Sequence, residues 1–291
     1  MSKFILLISA LFLILTFVHA NVPLRGLSPH KQQPWIGLGD RLLHTFFSKT
    51  PMPLNITQAR NSSDWNTPIE NGACIPNLGY GFINDRIVVY YTKAGQLGGF
   101  GVRVHGVLSQ LEQASFWKRV SPDVYQIEVS TRDPAFACSG QLDTKGGVLG
   151  DRLLVAPNSK FPISVPLTEA EADKAQFTKG GCITGMGTHW GFDLVEHPNL
   201  SGYSYTLMPV IPMYHDGFVS AILFYTHQLQ ELWPVGQWEG PFIPSLFCKN
   251  FCSDNCMEKE SSFRVFSTMH FLFHDASLNK CDDRCPSMKK K

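Results

Sequence analysis

The sequence predicts an α+β protein built from two tandem copies of one unit, each in the ferredoxin-like order βαββαβ. Three observations lead there: a six-residue string that occurs twice, a shared order of helix and hairpin signals behind it, and a matching series of glycines and cysteines. The string is Leu-Gly-Asp-Arg-Leu-Leu, at residues 38–43 and again at 149–154, an offset of 111. Ser48-Lys49 and Pro51 recur at that offset as Ser159-Lys160 and Pro162. Farther on, Pro53-Leu54 matches Pro166-Leu167, Gly72-Ala73-Cys74-Ile75 matches Gly180-Gly181-Cys182-Ile183, and Leu78-Gly79 matches Met186-Gly187. Gly95 pairs with Gly217, Asp133 with Asp275, and Cys138 with Cys281. A single shared hexapeptide arises by chance, whereas a colinear series with small gaps points to duplication. Unit one then runs over 34–145 and unit two over 146–285.

Each unit opens on a short apolar strand, Leu153-Leu154-Val155 in unit two. A helix start follows. In Thr168-Glu169-Ala170-Glu171 the threonine oxygen and the Glu171 carboxylate satisfy opening amides of a first turn, a capping box. Asn55-Ile56-Thr57-Gln58 holds the same place in unit one. Two strand runs about a turn come next. Arg86 to Thr92 leads through Lys93-Ala94-Gly95 into Gln96 to His105, and Leu207 to Tyr214 leads through His215-Asp216-Gly217 into Phe218 to Thr226. Asp-Gly between apolar runs is a hairpin signal, because glycine takes positive φ at little steric cost. Leu108, Leu111, Ser115 and Phe116 recur at helical spacing, with Leu229 and Leu232 in the corresponding stretch. A last strand closes each unit, Val124 to Thr131 and Phe263 to Phe273. Gly95 to Asp133 spans 38 residues but Gly217 to Asp275 spans 58, which places a Cys-rich insertion near 240–260 of unit two.

Residues 1–20 read as a signal peptide, with Lys3 in the n-region, an apolar run from Phe4 to Val18, and Val18-His19-Ala20 before the cleavage point. An apolar run of about fifteen residues is shorter than the ~20 that a membrane span requires. The expectation is therefore cleavage after Ala20 and export, with no transmembrane segment. Residues 21–33 form an N-terminal segment, and 286–291 form a short basic tail. Without Lys3 the chain carries 24 basic and 24 acidic side chains. That balance argues against nucleic acid as a partner, since a polyanion is held by clustered Lys and Arg that displace counterions. Asn55-Ile56-Thr57, Asn61-Ser62-Ser63 and Asn199-Leu200-Ser201 fit the glycan acceptor pattern, so Asn55, Asn61 and Asn199 are candidate glycosylation sites.

All eight cysteines lie beyond residue 20, an even number that reads as a disulfide framework in an exported chain. Unit one holds only Cys74 and Cys138, which pair if the unit closes on itself; by equivalence Cys182 pairs with Cys281. Cys248, Cys252, Cys256 and Cys285 then close two bonds around the insertion. A rival map treats the 252/256 and 281/285 spacings as facing hairpins, joining 252 to 285, 256 to 281 and 182 to 248. The colinear landmarks support the first map. Thiolates with three residues between them also suit zinc, but an oxidising compartment disfavours it.

Unit two departs from unit one where chemistry is easiest to place. Gly79-Tyr80-Gly81-Phe82 becomes Gly187-Thr188-His189-Trp190-Gly191-Phe192, and Lys93 at the hairpin turn becomes His215. Asp193, Glu196 and His197 follow closely. His189, His215, Asp193 and Glu196 form a candidate set for a divalent metal, because imidazole with carboxylate suits zinc, copper or non-haem iron. Against this, a histidine in a Gly-rich loop is often hydrogen-bonded structure, and Trp190 in that loop packs against a core. His270 and His274 share a face on either a helix or a strand, and their apolar neighbours favour a strand surface. Gly95 to Gly101 lacks the Lys-Ser/Thr of a phosphate loop, and strand-like residues follow it where a helix should open.

The run Cys182-Ile183-Thr184-Gly185-Met186-Gly187-Thr188-His189-Trp190, followed by Pro209, Pro212, Tyr214 and Gly217, resembles a signature of uncharacterised secreted proteins. Those carry a Gly-Met-Gly-x-His-aromatic motif, a proline-containing strand and a Tyr-x-x-Gly turn. The resemblance covers mainly residues 182–225 and implies secretion without a defined activity. Two functions fit the sequence. One is a secreted disulfide-bonded glycoprotein that binds a ligand or serves structure; the other is a metal-dependent secreted enzyme using His189 and His215, with Asp193 or Glu196 as partner. Neutral charge, dense cysteines and the lack of an assembled catalytic motif favour the first.

Overall fold

Strands, not helices, organise the chain. A computed structural model describes residues 38–45, 48–106, 108, 116–160, 162–175, 177–192, 209–226, 229–232, 235–242 and 266–281. The expected signal peptide, Asp193, Glu196, Asn199, Cys248, Cys252, Cys256 and Cys285 lie outside these residues. In chain order come β1 (Leu43–His44), β2 (Thr50–Pro51), helix α1 (Ile56–Asn61), β3 (Thr67–Pro68), β4 (Cys74–Ile75), β5 (Gly79–Asn84), β6 (Ile87–Tyr91) and β7 (Leu97–His105). Next are β8 (Lys118–Ser121), β9 (Val124–Ser130), β10 (Leu153–Val155), β11 (Ile163–Val165) and helix α2 (Glu169–Ala172). The last six strands are β12 (Phe177–Ile183), β13 (Gly187–Phe192), β14 (Val210–His215), β15 (Phe218–Thr226), β16 (Glu239–Phe242) and β17 (Phe266–Leu272).

Among the described residues these strands form two antiparallel sheets. The first runs β11-β10-β9-β7-β6-β5-β3, with β4 also on β5 and β8 also on β9. The second runs β12-β13-β14-β15-β17-β1-β2, with β16 also on β17. This overturns the expected α+β, ferredoxin-like βαββαβ arrangement. Both capped helix starts exist: Asn55 accepts from the Gln58 amide, and Thr168 with Glu171 forms the capping box. The helices that follow have only six and four residues, too short at ~1.5 Å per residue to cover a sheet. The expected helix around Leu229 and Leu232 is absent, Leu232 instead forming a β-bridge to Trp238, and residues 109–115 lie outside the description. The glycine-rich stretch after Cys182, read as a loop, is strand β13, and its counterpart after Cys74 is strand β5.

The sheets cover each other. One large cluster joins Val89, Phe100, Ile127 and Val129 of the first sheet to Ile222, Phe224, Met269 and Phe271 of the second. Phe100 stacks on Phe271 with centroids 4.6 Å apart and meets Phe224 edge-on at 6.1 Å. Each sheet's opposite face buries a smaller cluster, around Val88 and Tyr90 in the first and around Met213, Leu223 and Leu272 in the second.

Both sheets draw strands from either side of residue 145. Strand β10 pairs with β9 of the first sheet, Leu154 facing Ser130; β1 pairs with β17 of the second, Leu43 facing Leu272. Leu43 and Leu154 differ by the offset of the repeated hexapeptide, and Ser130 and Leu272 by that between Asp133 and Asp275. Further landmarks occupy matching places. The Tyr91 hydroxyl donates to the Pro53 carbonyl at 2.8 Å, and that of Tyr214 to the Pro166 carbonyl at 2.7 Å. Phe82 meets Tyr91 edge-on, as Trp190 meets Tyr214, both at 5.8 Å. Gly39 and Gly150 take φ of 129° and 112°, and a Cβ on either would strike a carbonyl, that of Phe273 or of Thr131.

Among the described residues two disulfides close the fold, Cys74–Cys138 and Cys182–Cys281, with Cα atoms 6.0 and 5.8 Å apart. Each ties an outermost strand, β4 or β12, to the 3₁₀ turn behind a central strand. Asp133 and Asp275 cap those turns, accepting from the Ala135 and Ser277 amides at 3.0 and 2.9 Å. Between the halves, the loop 143–148 is wrapped around buried Arg132. Its guanidinium donates to the carbonyls of Leu97 (2.8 Å), Lys145 (3.0 Å) and Val148 (2.9 Å) and pairs with the buried Asp143 carboxylate at 3.6 Å. The Gln96 side chain holds both the Asp143 carbonyl (2.7 Å) and the Asp143 amide (2.8 Å).

Arg132→Met leaves the Asp143 charge buried without its partner and is expected to lower stability by about 3–5 kcal/mol in urea denaturation; adding Asp143→Asn should restore part of that loss. Replacing Cys74 and Cys138 by alanine frees a 64-residue separation. The chain-entropy treatment puts this loss at about 4 kcal/mol, read from the shift in denaturation midpoint with the slope unchanged.

Candidate functional site

Polar groups sit at alternate positions on the outer face of each sheet, within otherwise apolar strands. In Val124–Ser130 they are Gln126 and Glu128; in Phe266–Leu272 they are Thr268 and His270. All four are buried. Period-two alternation sends them to the face opposite the inter-sheet core, where Ile127, Val129, Met269 and Phe271 lie.

On the second sheet, β16 lays Glu239 opposite Thr268. The Glu239 carboxylate accepts from the Thr268 hydroxyl at 3.3 Å and pairs closely with Nδ1 of His270. Glu239 and His270 are almost sealed from solvent, at 1 and 3% exposure. A carboxylate bound to Nδ1 sets the imidazole tautomer and orientation, the arrangement found wherever a histidine must hold or move a proton at Nε2. His189 lies on β13 of the same sheet, opposite Met213, with Nδ1 3.3 Å from the Gly181 carbonyl. Burial, reinforced by the nearby His270, holds the His189 pKa down to about 3.

The first sheet has a counterpart of inverted polarity. Lys118 of β8 lies opposite Gln126, and Glu128 follows two residues on. The Gln126 amide donates to Glu128 at 2.7 Å and to the Tyr90 hydroxyl at 2.8 Å, while its oxygen accepts from Nε of Arg103 at 2.7 Å. Burial raises the Glu128 pKa, against the opposing effect of that hydrogen bond.

Of the predicted metal residues, His189 and His215 lie on the paired strands β13 and β14. His189 faces β12 and senses His270, whereas His215 pairs with Asp216 at 3.3 Å and stands 6.3 Å, centroid to centroid, from His274. Asp193 and Glu196 lie outside the described residues, among which no group of three or more His, Cys, Asp or Glu is placed to hold a metal ion. Trp190 packs into the core and donates to Glu169 at 3.2 Å. Of the candidate glycan sites, Asn61 is exposed at the end of α1, and Asn55 uses its side-chain oxygen as the helix cap. Sequence reasoning treated His270 as sheet surface and passed over Glu239, Glu128, Gln126 and Arg103. The alternation of polar with apolar residues inside β9 and β17 was the available signal.

Comparison of the chain with protein-family models, curated proteins and solved structures finds no match. The class is therefore defined by the fold and its faces alone: a two-sheet antiparallel β protein, disulfide-clipped at each sheet edge, with a buried acid–base pair on one outer face.

His44 is buried on β1, its pKa lowered to about 4 by desolvation, with Glu239 opposing. His44 and His189 therefore stay neutral when folded while their unfolded counterparts take protons near pH 6.5. Their folded pKa values lie below the unfolded value, so stability is full above pH 7 and falls as pH drops from 6.5 toward 4 for His44 and 3 for His189. Glu128, raised by burial, acts in the opposite sense over the upper carboxylate range. His44→Phe keeps the edge-on ring contact with Trp65 and is expected to reduce the pH slope between 6 and 4.5 by about one proton, ~1.4 kcal/mol per pH unit. Urea denaturation at a series of pH values measures it.

Proposed function

We propose that the chain is a secreted, disulfide-bonded glycoprotein that acts as a binding or structural protein, and that its two sheets descend from a duplication whose copies trade opening hairpins. The observation that carries the first part is the pair of disulfides clipping the outermost strand of each sheet. Such bonds form and persist in oxidising compartments. The apolar, signal-like run at residues 4–18 supports the same address. The duplication is supported by equal registers at the two opening hairpins and by the paired tyrosine-to-proline hydrogen bonds. A binding role is favoured over catalysis because Glu239 and His270 are engaged in holding β16 to β17, and because His189 and His215 keep different neighbours.

Expression in a eukaryotic secretory host tests the reading. The expected outcome is protein in the medium beginning at Asn21, Cys74 linked to Cys138 and Cys182 to Cys281 in a non-reducing peptide map, and an enzymatically removable glycan on Asn61. Retention in cells with reduced thiols overturns it. Stoichiometric metal in the purified protein, lost in His189→Ala, overturns the preference for binding and revives the metal-dependent enzyme.

A further inference from the structure

The geometry points to an oxyanion subsite on the outer face of the first sheet, where the Arg103 guanidinium takes a carboxylate or sulfate group of a small ligand. This deepens the binding-protein reading and rests on it. Arg103 is the half-buried end of a relay that starts deep in the sheet. Tyr90 is fully buried, and Gln126 and Glu128 nearly so. The Gln126 amide nitrogen is fixed by Tyr90 and Glu128, and its oxygen then accepts from Nε of Arg103. Burying an amide, a phenol and a carboxyl carries a desolvation penalty that hydrogen bonds only offset. What the relay achieves is orientation: a guanidinium pinned at Nε has its plane set, with both Nη nitrogens directed away from the anchor. Among the described residues no acceptor meets those two nitrogens, and neither is a buried unsatisfied atom, so both reach solvent.

Gly99 and Gly101 of β7 share the Arg103 face and are buried beside Tyr90 and Glu128, so solvent reaches this face at Arg103 itself. Gly101 lies opposite Glu128, and Arg103 opposite Gln126. Exposed Lys118 stands on the far side of Gln126, in one row with Arg103. Two cations flank a fixed amide across three strands. The fork geometry of arginine matches two oxygens of one carboxylate or sulfate, which a flexible lysine does not reproduce. The acids near Arg103 are Glu128 and exposed Glu70. Glu128 is buried and already held by the Gln126 amide, which leaves Glu70 as the exposed competing carboxylate. A single pinned arginine on a chain of balanced charge suits one small anionic group, not a polyanion.

The test uses the full, disulfide-bonded chain, titrated by NMR with sodium acetate and with sodium sulfate at ionic strength held constant with chloride. Saturable shifts near Arg103 are expected. Arg103→Gln should weaken binding about tenfold or more, Arg103→Lys should recover little of it, and Glu70→Gln should tighten it. Circular dichroism and the thermal midpoint establish that each variant is folded, and Arg103→Lys serves if Arg103→Gln is not. Equal titration curves for wild type and both Arg103 variants would sink the subsite, as would shifts no larger than those from chloride. Either failure leaves the secretion and disulfide experiment unaffected, so the two readings are separable.

Discussion

The pairing of each opening hairpin with the last strand of the opposite half is the constraint on which the structure depends. Strands β9 and β17 are the centre of each sheet, and each has one long neighbour, β7 or β15. Their other sides are filled by two short partners in succession: β10 and β8 for β9, β1 and β16 for β17. Without the borrowed hairpins, part of each central strand would be an open edge carrying unpaired amides and carbonyls. An edge of that kind is an aggregation hazard. The borrowed hairpins remove it, and the chain crosses from sheet to sheet between β2 and β3 and between β11 and β12.

Among the described residues the two helices are too short to form a layer over either sheet, and the sheets bury the large cluster between them. The disulfides act at the edges of the sheets. Strands β4 and β12 lie at sheet margins, and each bond ties a margin to a turn behind the central strand. Sheet-on-sheet packing secures the middle, and covalent clips secure the rims.

The outer faces are where the halves diverge. Matching positions hold Lys118 and Glu128 on one sheet, Glu239 and His270 on the other, so a basic and an acidic side chain have changed places. On the first sheet the buried polar groups orient a half-exposed arginine; on the second they close on one another and bind β16 into the sheet. Packing that is common to both sheets faces inward, and the chemistry that distinguishes them faces outward.

Much was written locally in the sequence: the helix caps at Asn55 and Thr168, the Asp-Gly hairpin, the closing strands, and the offsets shared by the hexapeptide, the glycines and the cysteines. These are short-range signals, or repeats that need no knowledge of contacts. The βαββαβ reading failed because a capping box states where a helix starts and not how far it runs, and because the glycine-rich stretch at 187–192 looks like a loop until its neighbour β14 is known. Glu239 meeting His270 across 31 positions, and Gln126 aligning Arg103 from the adjacent strand, were likewise beyond local reading. Strand partners and burial are decided by contacts distant along the chain, and only the assembled sheets specify them.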